Sequence, residues 1–216
     1  KEALKDYENE YRAMFKRQAD KAAQPKTILP PDPKTIWMEG VGLLGLGTNF
    51  KAASIAGDLV VQNARVRSVG EDSGGFYPIS EKDLFDCEYW SLEQAKLGKG
   101  KAPAFQGKVV MVTGGSGTIG FETAKAFASL GAQCFLIDIN QENLDAAIEK
   151  LGKGHFGKSL DVTDPEAATE AIKSVTETYG GLDILVSNAG SAQSGAMVDI
   201  QTSSVRKAFE LNFFSH

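Results

Sequence analysis

The chain has 216 residues, of which 42% are hydrophobic and 24% charged, an ordinary globular composition for one or two domains. Its net charge of −5 and isoelectric point near 5.2 argue against a general binder of nucleic acids or anionic membranes. No apolar run is long enough to span a bilayer, no signal-peptide pattern opens the chain, and two cysteines are too few for a disulfide framework. Together these features predict a cytoplasmic protein.

The first 97 residues are predicted to be mainly helical. Residues 1–23 carry a helical stripe of apolar and aromatic side chains, and we expect this face to pack on a partner that is missing from this chain. The PPDP sequence at 30–33 separates this helix from a strand at 35–39. Further helices are expected over 51–69, ending at Gly70, and over 83–97.

A G-x-G-x-x-G spacing follows the strand at 35–39, on Gly40, Gly42 and Gly45. In a dinucleotide site this spacing should be followed by a helix, a second strand and an acidic residue about 20 positions on. Here the same distance leads into the middle of a continuous helix. We therefore interpret these glycines as a strand-to-helix turn in which backbones pack closely, with a dinucleotide site as the weaker alternative.

Residues 98–107 form a short segment rich in glycine, lysine and proline. Such composition is typical of a linker, so we place the domain boundary there. The predicted domains are 1–97 and 108–216.

A second glycine motif passes the test that the first one fails. Val109 to Val112 is a buried-strand pattern, and Gly115, Gly117 and Gly120 follow on the same spacing before a helical run. A second strand then closes on Asp138, 18 residues beyond the last glycine, where the ribose of a dinucleotide needs a carboxylate. The motif predicts a dinucleotide-binding turn at a helix N-terminus.

Strands and helices alternate after this turn, which predicts an α/β fold with a parallel, doubly wound sheet of the Rossmann type. Asn140 is expected to cap one helix, and Thr163 or Asp164 the next. The third strand ends near Asp161, and the fourth ends in a turn at Asn188. Since ligands bind at the carboxyl ends of such strands, these residues and Asp138 should meet at one edge.

At this point the sequence resembles the short-chain dehydrogenase/reductase family over roughly residues 105–216. The likeness rests on TGGSGTIG at 113–120, then Asp138, Asp161-Val162 and SNAG at 187–190, with Asn212 matching the active-site asparagine. Thr118 stands where many members have glycine, and the spacing fits the T-G-x-x-G-x-x-G variant instead.

The resemblance implies an NAD-dependent oxidoreductase and assigns roles to particular residues. The glycine turn would bind the pyrophosphate, Asp138 would hold the adenosine ribose and repel the 2′-phosphate of NADP, and Asn212 would be catalytic. Two alternatives stay open: Asp161 could serve only as a local cap, and Asn188 could only brace neighbouring strands. The implied cofactor-binding residues are Gly114, Gly115, Ser116, Gly117, Thr118, Ile119, Gly120, Asp138, Asp161, Val162, Asn188, Ala189 and Gly190.

The family's proton-transfer residues form a Y-x-x-x-K motif, which this sequence lacks. The chain also begins with lysine and ends within an apolar helical pattern, so we expect a fragment that is inactive by itself. The family is commonly oligomeric, which implies a homo-oligomer for the intact protein. The only histidines, His155 and His216, lie far apart, and no protein metal site is expected.

Residues 1–97 resemble the C-terminal part of a class II aldolase domain, on WMEGVGLLGLG and DLFDCEYWSLEQAKL. Proteins that join a rhamnulose-1-phosphate-type aldolase to a short-chain dehydrogenase have this order. The segment contains no histidine, so no zinc ligand of that family can be assigned here. The resemblance implies deoxysugar (rhamnose) catabolism with lactaldehyde as the dehydrogenase substrate. A non-catalytic nucleotide-binding module, or aldolase as the main activity, are the alternatives.

Overall fold

The computed structural model describes residues 2–95, 97, 102–196 and 198–215. These form two compact units, the first comprising the chain up to Gly47 together with Ala52–Ala102. The second unit comprises Thr48–Lys51 and the chain from Pro103 onward. Residues 98–101 of the predicted linker lie outside the described residues.

The first unit is mainly helical, as predicted, but it also contains a β-hairpin. The hairpin strands are antiparallel and pair Thr35 with Gly45 and Met38 with Gly42. The elements in chain order are α1 (Glu2–Ala19), β1 (Thr35–Met38), β2 (Gly42–Gly45), α2 (Phe50–Asp72), α3 (Glu81–Glu88) and α4 (Ser91–Gln94).

Part of the apolar face of α1 packs on α3 within the unit. Met14, Phe85 and Tyr89 are buried together. The Tyr11 hydroxyl donates to a Glu88 carboxylate oxygen at 2.7 Å and lies 2.6 Å from the Tyr89 hydroxyl. The prediction of a missing partner is therefore wrong for this part of the face, because α3 of the same unit covers it.

The first glycine motif is a hairpin turn rather than a strand-to-helix turn. Gly40 and Gly42 have left-handed φ angles of 75° and 123°, which few other residues adopt. The predicted close packing of backbones occurs at Gly45, where an added Cβ would overlap the backbone of α2 at Ala53 and Gly57. The second strand escaped prediction because its glycines carry no strand signal.

Two helix boundaries in this unit differ from the predicted ones. Helix α2 continues through Gly70 to Asp72, and an added Cβ at Gly70 would lie 3.3 Å from the Phe76 side chain, so this glycine permits a close approach. The helix expected over 83–97 is interrupted, because Trp90 has extended backbone angles (φ −58°, ψ 148°). The break follows Tyr89, whose side chain is fixed in the aromatic cluster.

The second unit confirms the predicted Rossmann-type α/β fold. Its four strands are all parallel and lie in the order β5-β4-β3-β6. A π-helix (Glu210–Phe214) follows the last α-helix. The other elements are β3 (Val109–Thr113), α5 (Thr118–Ser129), β4 (Gln133–Asp138), α6 (Gln141–Leu151), β5 (Phe156–Ser159), α7 (Pro165–Tyr179), β6 (Ile184–Val186) and α8 (Thr202–Phe209).

Alternate residues of β3 enter two different cores, one on each face of the sheet. Val110 and Val112 pack in a cluster with residues of α5 and α6. Val109 and Met111 pack in a second cluster with residues of α7. Both faces are therefore covered by helices, which explains the uninterrupted apolar run in the sequence.

Helix ends in this unit follow ordinary capping chemistry. The Asn140 side chain accepts the Asn143 N–H at 2.9 Å, as predicted for α6. Asp164, one of the two residues considered for α7, accepts the Glu166 N–H at 3.0 Å, and Pro165 occupies the first turn. Within the described part of the chain, no helix is long and apolar enough to cross a membrane.

The stability of the second unit is expected to fall in weakly acidic solution because of His155. The Cys134 N–H donates to His155 Nδ1 at 3.0 Å, and burial lowers the pKa of this imidazole below 6.5. A protonated imidazole cannot accept this bond, so the contribution is complete above about pH 6.5 and is lost as pH falls through the folded-state pKa. Urea unfolding followed by circular dichroism across pH 5–8 measures the effect. The His155→Gln variant should be less pH-dependent, and an equal dependence in both proteins would contradict this assignment.

Candidate functional site

A cleft of about 840 Å³ opens at the carboxyl ends of the parallel strands. Eleven of the fourteen predicted site residues line it, and the three that do not are Gly115, Ser116 and Asn212. The lining residues are Gly114, Gly117, Thr118, Ile119, Gly120, Ile137, Asp138, Ile139, Leu160, Asp161, Val162, Thr163, Asn188, Ala189, Gly190, Ser191, Lys207, Glu210 and Leu211.

The turn between β3 and α5 forms the floor of the cleft. At two of its positions only glycine fits. Gly114 has a φ of 62°, and a Cβ there would lie 3.0 Å from Ala189 Cα. A Cβ on Gly120 would overlap the Gly114 carbonyl oxygen and lie 2.7 Å from Asn188 Nδ2. The turn is therefore packed directly against the end of β6, and a ligand can approach its backbone closely.

Helix α5 begins at the cleft, with Gly117 as its N-cap residue. The cap has no side-chain hydrogen bond, since glycine offers none. Thr118, Ile119 and Gly120, in the first turn, line the cleft. The positive end of the helix dipole thus faces the space where the predicted pyrophosphate would lie.

Two predicted turn residues have other positions in the structure. An added Cβ at Gly115 would lie 2.9 Å from the Leu136 side chain, so this glycine allows close packing of the turn on β4. Ser116 points its backbone N–H at Asp138. Neither residue is among those lining the cleft, and their cofactor contacts stay predictions.

Asp138 ends β4 with both carboxylate oxygens held by backbone groups. Oδ2 accepts the Ser116 N–H at 3.0 Å, and Oδ1 accepts the Asn140 N–H at 3.1 Å. Each oxygen keeps a further lone pair for a hydroxyl donor. The carboxylate is therefore fixed beside the glycine turn, at the rim of the cleft.

Asp161 lies at the cleft and forms a local turn with Thr163. Its Oδ1 accepts the Thr163 N–H at 2.9 Å and the Thr163 hydroxyl at 2.7 Å. These two hydrogen bonds lower the pKa of the Asp161 carboxyl below its ordinary value. The residue thus has the local turn role considered from the sequence, while it also lines the cleft beside Val162.

Asn188 braces the ends of β3 and β6. Its side-chain Nδ2 donates to the carbonyl oxygens of Thr113 at 2.9 Å and Gly114 at 3.3 Å. The Thr113 hydroxyl oxygen in turn accepts the backbone N–H groups of Asn188 at 2.9 Å and Ala189 at 3.0 Å. Bracing, one of the two roles considered for Asn188, is present in the structure.

Thr113→Val is expected to destabilise the second unit by about 1–3 kcal/mol, because two partly buried N–H groups lose their acceptor. Urea unfolding measures the change. Thr113→Ser keeps the hydroxyl and should retain most of the stability. An undiminished stability in Thr113→Val would show that the hydroxyl does not matter here.

Asn212 lies in the π-helix that follows α8. Its Oδ1 accepts the Ser191 N–H at 2.9 Å, and its Nδ2 donates to the Ser191 carbonyl oxygen at 2.8 Å. Single π-helical turns are often found at functional sites. The Asn212 side chain thereby connects the π-helix to Ser191, which lines the cleft. The catalytic role of Asn212 stays a prediction.

Sequence reasoning did not identify several residues that complete the cleft. Lys207, Glu210 and Leu211 line it from α8 and the π-helix. Their three- and four-residue spacing within the run VRKAFELNFF is a signal that could have indicated this shared face. Ile139, which was likewise not predicted, lines the cleft beside the predicted Ile119. These side chains are 68% and 74% exposed, and they offer apolar contact to a planar ring.

Comparisons with known proteins give the same order of parts. The family model described as short chain dehydrogenase matches residues 108–216, and the one described as aldolase class II, second domain, matches residues 1–97. YuxG, an uncharacterized oxidoreductase of Bacillus subtilis, is 30% identical over 90% of this chain and 29% of its own length. Short-chain dehydrogenase reductase 4 of Arabidopsis thaliana is 32% identical over 63% of this chain and 48% of its own.

A solved short chain dehydrogenase from Mycobacterium smegmatis is 31% identical and aligns with a TM-score of 0.49 over 54% of this chain and 50% of its own. The chain spans less than half the length of YuxG and less than half the length of the Arabidopsis thaliana relative. Members of the dehydrogenase family generally bind a nicotinamide cofactor. The second unit of this chain belongs to the short-chain dehydrogenase family, and an aldolase class II second domain precedes it.

Proposed function

We propose that residues 108–216 form the NAD-binding part of an oxidoreductase within a bifunctional aldolase/short-chain dehydrogenase. The observation that carries this proposal is the position of Asp138. Its carboxylate ends β4, accepts the Ser116 N–H at 3.0 Å and lies at the rim of the cleft beside the glycine turn. A fixed carboxylate there suits the ribose hydroxyls of NAD.

The cleft fits a dinucleotide on the evidence of its own packing. The turn at Gly114 and Gly120 has no room for a Cβ, so backbone N–H groups can approach phosphate oxygens closely. The first turn of α5 adds its dipole, and Ile119 and Ile139 offer apolar surface. Bound NAD would supply the hydride acceptor, and these residues would hold and orient it.

The same carboxylate favours NAD over NADP. A 2′-phosphate carries negative charge to the position of the ribose hydroxyl, where it would meet Asp138. Lys207 is the one lysine or arginine among the lining residues that the structure describes, and it lies on a different element, α8. No group of three or more potential metal ligands lies close together in the described ranges, and the proposal assigns no metal.

We propose a small aldehyde or alcohol, such as lactaldehyde in rhamnose or other deoxysugar catabolism, as the substrate of the intact protein. This rests on the resemblance to aldolase/dehydrogenase fusions, in which an aldehyde released by one part would be consumed by the other. A cytoplasmic, homo-oligomeric protein without nucleic-acid or membrane partners completes the proposal. The acidic composition supports the absence of nucleic-acid and membrane partners, and the small number of cysteines, Cys87 and Cys134, supports a cytoplasmic location.

Calorimetric titration of the chain with NAD and with NADP tests the cofactor assignment. NAD should bind, and NADP should bind at least about tenfold more weakly. Equal affinities, or no binding of NAD, would contradict it. Turnover of lactaldehyde by the intact protein tests the substrate; NAD binding without turnover would favour a non-catalytic nucleotide module, and carbon–carbon cleavage alone would favour the aldolase as the main activity.

A further inference from the structure

Helix α2 in the first unit has two different apolar faces. Ala56 and Val60 are buried within the unit. On another face Ile55, Leu59, Val66 and Val69 leave 51%, 62%, 49% and 63% of their surface exposed. Large exposed apolar side chains in one row are a sign of an interaction surface.

The exposed residues follow the spacing of a coiled-coil seam. Ile55, Leu59, Gln62, Val66 and Val69 are separated by steps of four, three, four and three residues. This is the a/d pattern of a heptad repeat over two turns of the repeat. We call this row the α2 seam. Its central member, Gln62, is polar, and single polar residues at such positions fix the register and orientation of paired helices.

Charges beside the α2 seam alternate in sign. Asp58, Arg65 and Asp72 lie at seven-residue intervals on the same flank of the seam, the position called g. In the part of the chain that the structure describes, no ion pair is formed by Asp58 or Arg65. When a second copy of such a helix runs antiparallel and is offset by one heptad, each acidic residue of the row lies opposite a basic residue of the other copy.

We propose that α2 pairs antiparallel with α2 of a second copy of this chain. In this register Leu59 packs against Gln62 of the second copy, and Ile55 packs against Val66 of the second copy. Asp58 then lies opposite Arg65 of the second copy, and the symmetry repeats this pair. The two Gln62 side chains lie in adjacent layers, within reach of each other for an amide hydrogen bond.

The flanking charges select this register over its neighbours. Sliding one helix by one heptad in one direction places Asp58 opposite Asp72 and Arg65 opposite Arg65. A heptad slide in the other direction places Asp58 opposite Asp58. Like charges in contact across an interface are unfavourable, so of these three registers only the proposed one pairs opposite charges. A two-fold interface requires such self-complementarity, which argues for a second copy rather than an unrelated helix.

This inference concerns the aldolase-like part and does not depend on the proposed NAD chemistry. It predicts that the whole chain forms a dimer whose dissociation constant depends on Asp58 and Arg65. Sedimentation equilibrium of the chain and its variants measures this constant. Since both residues are exposed, the variants should fold, and circular dichroism checks that they do.

The expected pattern comes from exchanging the two charges. Asp58→Arg and Arg65→Asp should each weaken the dimer at least about tenfold, because each places like charges in two symmetric contacts. The double variant Asp58→Arg/Arg65→Asp restores opposite charges and should recover the affinity of the natural chain. Glu71→Arg, a charge change on the same helix but off the seam, should have no effect.

Several results would overturn the proposal. One is a monomer at every attainable concentration, which would show that the α2 seam does not bind a second copy. Another is a dimer that both single variants leave unchanged, which would place the contact elsewhere. Failure of the double variant to recover the affinity lost in the singles would also contradict the assigned register.

Discussion

Gly120→Ala is expected to abolish detectable NAD binding and to destabilise the second unit by about 1–3 kcal/mol. The new Cβ would overlap the Gly114 carbonyl oxygen and lie 2.9 Å from its carbonyl carbon. These are backbone atoms of the turn itself, so the clash is relieved only if the turn opens. An open turn also loses the Asn188 side-chain hydrogen bonds to Thr113 and Gly114. Calorimetric titration and urea unfolding measure the two effects.

Two other glycines provide matched controls for this variant. A Cβ at Gly181 would meet no atom within 4 Å, so Gly181→Ala should leave both binding and stability nearly unchanged. A Cβ at Gly117 would lie 3.3 Å from the Gly114 carbonyl oxygen, so Gly117→Ala should have an intermediate effect. If Gly120→Ala binds NAD as well as Gly181→Ala does, the turn is not the phosphate site.

Asp138→Ala is expected to weaken NAD binding by about ten- to a hundredfold, because hydrogen bonds to a charged group contribute about 1.5–3 kcal/mol. The same variant should bind NADP more tightly than the natural chain does, since the repelling carboxylate is gone. The ratio of the two affinities, measured by calorimetric titration, should therefore fall sharply. This change in selectivity separates a ribose contact from general damage to the site.

The structure also suggests how to separate charge from position at this residue. Asp138→Asn keeps a similar shape and can still accept the Ser116 N–H through its carbonyl oxygen, but it carries no charge. We expect it to lose selectivity against NADP while keeping more NAD affinity than Asp138→Ala. Asp145→Ala removes an acidic residue of α6 that bonds only to Gln141 among the described residues, and should change neither affinity. Unaltered NAD affinity in Asp138→Ala would refute the ribose assignment.

Much of the second unit follows from local sequence signals. The buried strands β3 and β4 are continuous apolar runs, and Asn140 and Gly152 bound α6 by capping rules. Parallel topology then brings Asp138, Asp161 and Asn188 to the carboxyl edge of the sheet without knowledge of any side-chain contact. Most of the predicted site residues were assigned because they follow the carboxyl ends of the strands, and eleven of them line the cleft.

Other features depend on contacts between distant residues and could not be predicted. The break before Trp90 accompanies the packing of Tyr89 against Phe15 and its hydroxyl contact with Tyr11, far away in the chain. The role of Thr113 depends on two N–H groups 75 and 76 positions later. Local propensity carries no information about such partners. Gly115 shows the same limit, because its close contacts with the Leu136 side chain and the Val112 carbonyl oxygen are not visible in the motif.

The hydrogen bond from Ser116 to Asp138 has a kinetic consequence. It joins the loop after β3 to the end of β4, so the protein's own contacts hold the loop in shape before any dinucleotide arrives. No slow rearrangement of this loop should then precede binding. In stopped-flow mixing, the observed rate should rise linearly with NAD concentration and show no plateau, whereas a plateau would reveal a loop that closes only after the encounter.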